Sequence, residues 1–195
     1  MKLKTIALAS GVLATALVLA GCSGTPSGGH SGMEMGGSST TATTASGHND
    51  ADISFAQNMV MHHKQAIEMS DMVLGKTGVN ARVTDLAQKI KDAQQPEIDT
   101  MNGWLQSWGG SGSMSGHDMG GMMSDSDMAA LKDASGADAG KLFLTQMVQH
   151  HQGAINMANQ EVKTGKNTDA VALAKKIVTD QTAEIATMQS LLASL

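Results

Sequence analysis

Four segments repeat apolar residues at the three- and four-residue spacing of an amphipathic helix, near residues 52–74, 80–106, 139–164 and 168–193. Taking about 100° per residue from Met59, the side chains of Phe55, Ala66 and Val73 fall within roughly 40° of it, while Lys64 and Glu68 fall opposite. In the second segment Leu86, Ile90 and Trp104 mark the apolar stripe, and in the fourth Leu173, Ile177 and Leu191 do so. Short turns, GKTGVN at 75–80 and TGKN at 164–167, join the segments in pairs. The pattern predicts an all-α fold of two helical hairpins, enough to bury one core as a four-helix bundle.

The hairpins are copies of each other. At an offset of 88 residues Phe55, Met59, Val60, His62, His63, Ala66, Ile67 and Met69 meet Phe143, Met147, Val148, His150, His151, Ala154, Ile155 and Met157. At an offset of 87, LAQKI (86–90) meets LAKKI (173–177), and Gln94, Glu97, Ile98, Thr100 and Met101 meet Gln181, Glu184, Ile185, Thr187 and Met188. An internal repeat of this kind makes each hairpin half of a shared core.

Polar residues break the apolar stripe at matching places. His62 and His63 lie about 60° to one side and about 40° to the other of its centre, so neither points straight at water. Glu97 and Glu184 sit within about 20° of the middle of the stripe on the second helix of each copy, and Met101 and Met188 at about 60°. A lone histidine or methionine at such a position is ordinarily core material, and a glutamate there could pair with Lys89 or Lys176 or accept from Gln94 or Gln181. Four imidazoles and two carboxylates together are different, because burying them costs several kcal/mol unless they are paired or bound to metal. Adjacent histidines diverge too far to chelate one ion, whereas Met59 lies one turn from His62 or His63, and Glu97 one turn from Met101. A site would therefore join one Met/His pair to groups of a neighbouring helix, leaving the other histidine for a second neighbour or the outside of the bundle.

Composition narrows the chemistry. The chain holds 16 Met, two Phe, two Trp, no Tyr and one Cys, with a net charge of −5. No basic run follows the first residues, so nucleic acid is not an expected partner. Residues 1–21, with Lys2 and Lys4 ahead of a short apolar stretch, read as a signal peptide. It closes on LAGC (19–22), which resembles the cleavage motif of bacterial lipoproteins. Cys22 is the expected lipidation site, which places the mature protein on the extracytoplasmic face of the cell membrane. With that cysteine lipidated no thiol remains, which excludes disulfides and thiolate metal sites.

Two stretches cannot form a core. Residues 22–49 are Gly/Ser/Thr-rich and read as a flexible tether, carrying His30, Met33 and Met35. Residues 109–127 separate hairpin 1, about 50–108, from hairpin 2, about 128–195. This linker places Met114, His117, Met119, Met122 and Met123 among glycines, where an open tract could wrap a soft ion with little strain. Thioether plus imidazole without thiolate suits Cu(I), and imidazole-rich settings also hold Cu(II). Zinc does not ordinarily use thioether, and a di-iron bundle wants Glu-x-x-His motifs that are absent from this sequence.

The doubled pattern Phe-x3-Met-x2-His-His-x2-Ala-x-x-Met, followed by Gln-x2-Glu-Ile-x2-Met, resembles the domain of unknown function 305 family over about residues 50–195. The resemblance implies a ferritin-like four-helix bundle, in a family that includes bacterial periplasmic copper-binding proteins associated with copper resistance. It implies a copper-binding role for Met59, His62, His63, Met69, Glu97 and Met101 and for their matches Met147, His150, His151, Met157, Glu184 and Met188. Two departures stand out. An aspartate is expected three residues before each Phe, but only Asp52 fits and Gly140 takes the second position; and Pro96 is expected to kink the second helix beside Glu97.

The expected function is copper binding for buffering, chaperoning or resistance, without enzymatic activity, since no nucleophile constellation, phosphate loop or cofactor motif appears. Two other classes stay open: a ferritin-like metalloenzyme such as a copper or iron oxidase, and a structural or interaction module whose histidines only satisfy one another. Because an imidazole must be neutral to ligate, binding by the bundle is expected to weaken as pH falls through about 6.5, the ordinary histidine value.

Overall fold

Asn49 begins the first helix with a capping box, its side chain accepting from the Asp52 N–H while Asp52 accepts from the Asn49 N–H. That helix, α1, runs Asp50–Leu74, and α2 follows as Ala81–Trp108. The computed structural model describes residues 47–110 and 120–195. Cys22, the tether residues His30, Met33 and Met35, and Met114, His117 and Met119 of the linker lie outside the described residues. Chain description resumes before α3 (Asp125–Asp133), then α4 (Gly136–Thr164) and α5 (Thr168–Ser194). The fold is all-α, and no strand occurs among the described residues. No helix among them is long and apolar enough to cross a membrane.

The four expected helices are present with ends shifted by up to three residues. Asn80 and Asn167 cap α2 and α5 with their side-chain oxygens, and Gly109 ends α2 in the left-handed conformation that favours glycine. Pro96 does not end α2, which continues through it. The short helix α3 is a correction: it takes up residues 125–127 of the expected linker and precedes the second hairpin. Its only buried residue is Leu131, so no apolar periodicity announces it. It forms because Ser124 and Asp127 make a capping box and because Lys76 reaches across to the carbonyls of Lys132 and Ala134.

α1 packs along α2 and α4 along α5, and the hairpins meet chiefly through α1 against α4, with α3 lying on both. The start of α1 meets the turn after α4, where Asp52 accepts from the N–H groups of Lys166 and Asn167 at 3.0 and 2.9 Å. The start of α4 lies at the turn after α1, where a Cβ on Gly140 would meet Val79 Cγ1 at 3.3 Å. The two hairpins are therefore antiparallel copies about a pseudo-twofold axis. The contrast between Asp52 and Gly140 follows from it: one copy caps the facing turn with a carboxylate, and the other packs a valine there.

Asp52 also faces Glu161, the last buried residue of α4. Burial and the neighbouring Asp52 push Glu161 up to about 8. Burial works to raise Asp52 as well, but the adjoining Glu161 carboxyl and the backbone donors of Asn167, Asn49 and Lys166 outweigh it and hold Asp52 below its ordinary value. The pair thus shares one proton at neutral pH. A carboxyl with a raised folded-state value contributes stability that is fully present below about 4.5 and is lost as pH rises through about 8. Glu161→Gln, which keeps a donor toward Asp52, removes that dependence. Thermal melts should show wild type losing stability relative to Glu161→Gln between about pH 5 and about pH 8; a constant difference across that range would contradict the shared proton.

The buried side chains fall into two apolar clusters separated by polar residues. One holds Phe55, Met59, Ile98, Met101, Ala158 and Ile177; the other holds Met69, Leu86, Ile90, Phe143, Met147 and Met188. His62, His63, His150, His151, Gln94 and Gln181 are buried but belong to neither.

Candidate metal centre

The four histidines converge. His62 and His63 on α1 and His150 and His151 on α4 are each 0% exposed. Antiparallel packing of these helices brings the His62 and His150 rings to 3.7 Å between centroids, inclined at 45°. His150 and His151 lie 6.3 Å apart by the same measure. The histidine pairs therefore form one layer at the centre of the bundle, and none faces the outside.

The inward carboxylates close that layer on both flanks. Glu97 of α2 meets His63 Nε2 at 2.8 Å, and Glu184 of α5 meets His151 Nε2 at 2.7 Å. Glu97 additionally accepts from Lys176 Nζ at 2.9 Å, and Lys176 donates to Asp180 at 2.7 Å. Burial works to raise Glu97, but the His63 and Lys176 contacts outweigh it and hold it below its ordinary value. Each outer imidazole thus has one nitrogen engaged with a carboxylate, the arrangement that orients histidine ligands and raises their basicity in metal proteins.

The inner nitrogens have no such partner. Both ring nitrogens of His62 and of His150, and Nδ1 of His63 and of His151, are buried without a hydrogen bond. The backbone at Gly120 approaches His62 without forming an aligned bond. An unmet buried donor or acceptor costs about 1–3 kcal/mol, so the layer is a costly arrangement for a protein that uses it only to hold itself together. Burial, and then the nearby imidazoles of His63 and His151, push His62 down to about 3. Burial likewise sets His150 well below its ordinary value and lowers His63 against the pull of Glu97. These rings are held neutral, with lone pairs free, which is the form that ligates.

The thioethers stand on both sides of the layer. Met59 and Met101 lie in one apolar cluster, and Met69, Met147 and Met188 in the other, all fully buried. Met157 is half-buried and lines a groove of about 550 Å³ between α1 and α4, with Phe55, Asn58 and Glu161. Among the described residues no three His, Asp or Glu side chains already converge on one point. Two imidazoles are turned to carboxylates and two face each other at an incline, so an ion held here would need those rings to rotate and could draw on sulfur from the flanking clusters.

Met123 does not belong to an open tract. It is buried in the cluster with Met69, Met147 and Met188, which corrects the expectation that it lies exposed in a flexible linker. Gln65 fixes its backbone, donating to the Met123 carbonyl at 2.9 Å and accepting from the Met123 N–H at 2.7 Å. Gly120 and Gly121 lie against Gly153 so closely that a Cβ there would come within 1.9 Å of the Gly120 oxygen. Gln65 and Gly153 are matching positions of the repeat, each three residues beyond an inner histidine. Residues 120–123 thus form a strap beside the His62 and His150 pair, with Met122 half-buried on it. Sequence reasoning offered Lys176 as a partner for an inward glutamate, which Glu97 takes, but missed this strap and the Asp52–Glu161 pair. The one signal available was Gly153, a glycine in mid-helix where the other copy has glutamine.

A four-helix bundle with a buried layer of paired histidines and carboxylates defines the class. The sequence matches the family described as "Domain of unknown function (DUF305)" over residues 52–192, and the chain belongs to that family. Among solved structures it is similar to a DUF305 protein from Streptomyces coelicolor that is described as secreted, with 34% identity over 74% of this chain and 91% of that one and a TM-score of 0.69. A DUF305 fragment from Deinococcus radiodurans is 29% identical over 75% and 98% of the two chains, also with a TM-score of 0.69. CopM in its Cu(I)-bound form is 30% identical over 73% and 96%, with a TM-score of 0.63. CopM has also been solved in Cu(II)-bound and Ag-bound forms. No curated protein sequence matches the chain.

Proposed function

We propose that this protein binds copper, chiefly Cu(I), in the histidine layer and serves as an extracytoplasmic, lipid-anchored buffer or carrier and not as an enzyme. The observation that carries the reading is the set of six buried imidazole nitrogens without partners, flanked by thioethers and by no thiolate. Neutral imidazole and thioether are soft-to-intermediate donors that favour Cu(I). The similarity to CopM, solved with copper and with silver, supports the same chemistry. The lipid anchor rests on LAGC at 19–22, and the location outside the cytoplasm on that motif and on the secreted relative.

The burial of the site changes the expected pH behaviour. An ordinary imidazole would protonate near 6.5 and release its ion, but His62 at about 3 and the lowered His63 and His150 stay neutral well below that. Sequence alone predicts binding that weakens through about 6.5; the burial of these rings supports the opposite expectation. Anaerobic Cu(I) titration against a competing chelator should find tight binding that changes little between about pH 7 and about pH 5. Failure of the protein to compete with the chelator at either pH would refute the copper reading.

A further inference from the structure

The two halves of the layer match in helix, histidine and carboxylate, yet they differ in charge. Glu97 is held by His63 on one oxygen and Lys176 on the other, with its side chain 11% exposed. Glu184 is held by His151 alone, with its side chain 21% exposed, and among the described residues no lysine or arginine pairs with it.

The repeat explains why. Lys176 matches Lys89 at the offset of 87 residues, and Asp180 matches Ala93. One turn beyond Lys176, Asp180 accepts its ammonium at 2.7 Å and steadies it within reach of Glu97. Lys89 has alanine at that place, is exposed, and forms no ion pair among the described residues. The His63 half therefore carries a carboxylate already neutralised by an ammonium, and the His151 half carries one that is not.

We propose that Lys176 is a positioning residue that makes the half-sites unequal, so that a soft monovalent cation is taken first on the His151 and Glu184 side and reaches the His63 and Glu97 side only against the Lys176 charge. This rests on the soft-ion reading above. Lys176 is more than half exposed, so solvent screens its charge and the expected effect is modest.

The repeat supplies its own control, since Lys89→Gln and Lys176→Gln remove the same charge from matching positions. We would follow the imidazole signals of the full folded chain by heteronuclear NMR, first without metal and then with Ag(I) as a redox-inert probe. Without metal, the His63 and His151 rings of wild type should differ, and Lys176→Gln should bring His63 toward His151 while Lys89→Gln leaves both in place. At one equivalent of Ag(I), wild type should shift His151 before His63. In Lys176→Gln the two should shift together, because the affinity on the His63 and Glu97 side should rise roughly twofold to fivefold. Parallel shifts in wild type, or a Lys176→Gln variant that behaves as Lys89→Gln does, would overturn the ordered filling. Ag(I) that moves none of the four rings would instead refute the soft-ion reading and the filling order with it, while the metal-free comparison would still report whether Lys176 distinguishes the two halves.

Discussion

Replacing His62 and His150 together by leucine should abolish tight Cu(I) binding and raise the stability of the metal-free protein. These two rings face each other at 3.7 Å and leave four buried nitrogens unpaired. Leucine is close to histidine in volume and carries no polar atoms, so it fills the same space without the cost of unmet hydrogen bonds. The expected gain is about 1–3 kcal/mol, read as a higher denaturant midpoint. The expected loss of affinity is on the order of a hundredfold or more, since the variant removes ligands that the bundle cannot replace from elsewhere in the layer. A variant that loses stability while keeping its affinity would show that the imidazoles hold the bundle together and bind nothing. The sign of the stability change is informative because most core substitutions destabilise; a site kept for binding is an exception.

Gly153→Ala should detach the strap. In an isolated helix, alanine is favoured over glycine by about 1 kcal/mol, and on propensity alone the variant would be more stable. Here the added methyl group would lie 1.9 Å from the Gly120 oxygen and 2.8 Å from the Gly121 Cα, a clash with backbone that no rotamer relieves. The strap must lift, which exposes Met123 and breaks its two hydrogen bonds with Gln65. Burial of a methionine contributes about 1.5–3 kcal/mol, so the net effect should be destabilisation by roughly 1–2 kcal/mol. Hydrogen exchange should show residues 120–123 losing protection, and the bound ion should leave faster because the strap lies beside His62 and His150. A stabilised variant with an unchanged strap would contradict the packing described here.

The same position shows what the sequence could and could not reveal. Helices α1, α2, α4 and α5 were legible because their apolar spacing is long and is given twice, and the repeat made the hairpin pairing legible as well. The inward glutamates were legible because helical geometry alone puts Glu97 and Glu184 on the stripes of Ile90 and Ile177. What periodicity cannot carry is which surfaces of separate helices meet. The approach of His62 to His150 depends on the antiparallel crossing of α1 and α4, so sequence could not show that the two histidine pairs meet in one layer. The strap was hidden for another reason: Met123 sits among glycines and serines, a composition that reads as open chain, and the residues that hold it down include Gln65 and Gly153 on two different helices. Asp52 looked like half of a broken pattern, whereas Gly140 is simply the other solution for closing a pseudo-symmetric end.

Nor did any local feature foretell the protonation of the histidines. Burial and the neighbouring imidazoles hold His62 and His150 below the ordinary histidine value, so that value ceases to describe these rings.

The central claim is that the ion sits in the histidine layer and not on the methionine-rich linker. Copper-edge X-ray absorption on the Cu(I)-loaded protein with Met114, His117 and Met119 replaced by serine or alanine isolates the bundle, because Met122 and Met123 stay to hold the strap. The account predicts that the variant retains its tightly bound copper and that the spectrum shows imidazole back-scattering together with sulfur. Loss of the copper, or a spectrum of sulfur neighbours without imidazole, would contradict it.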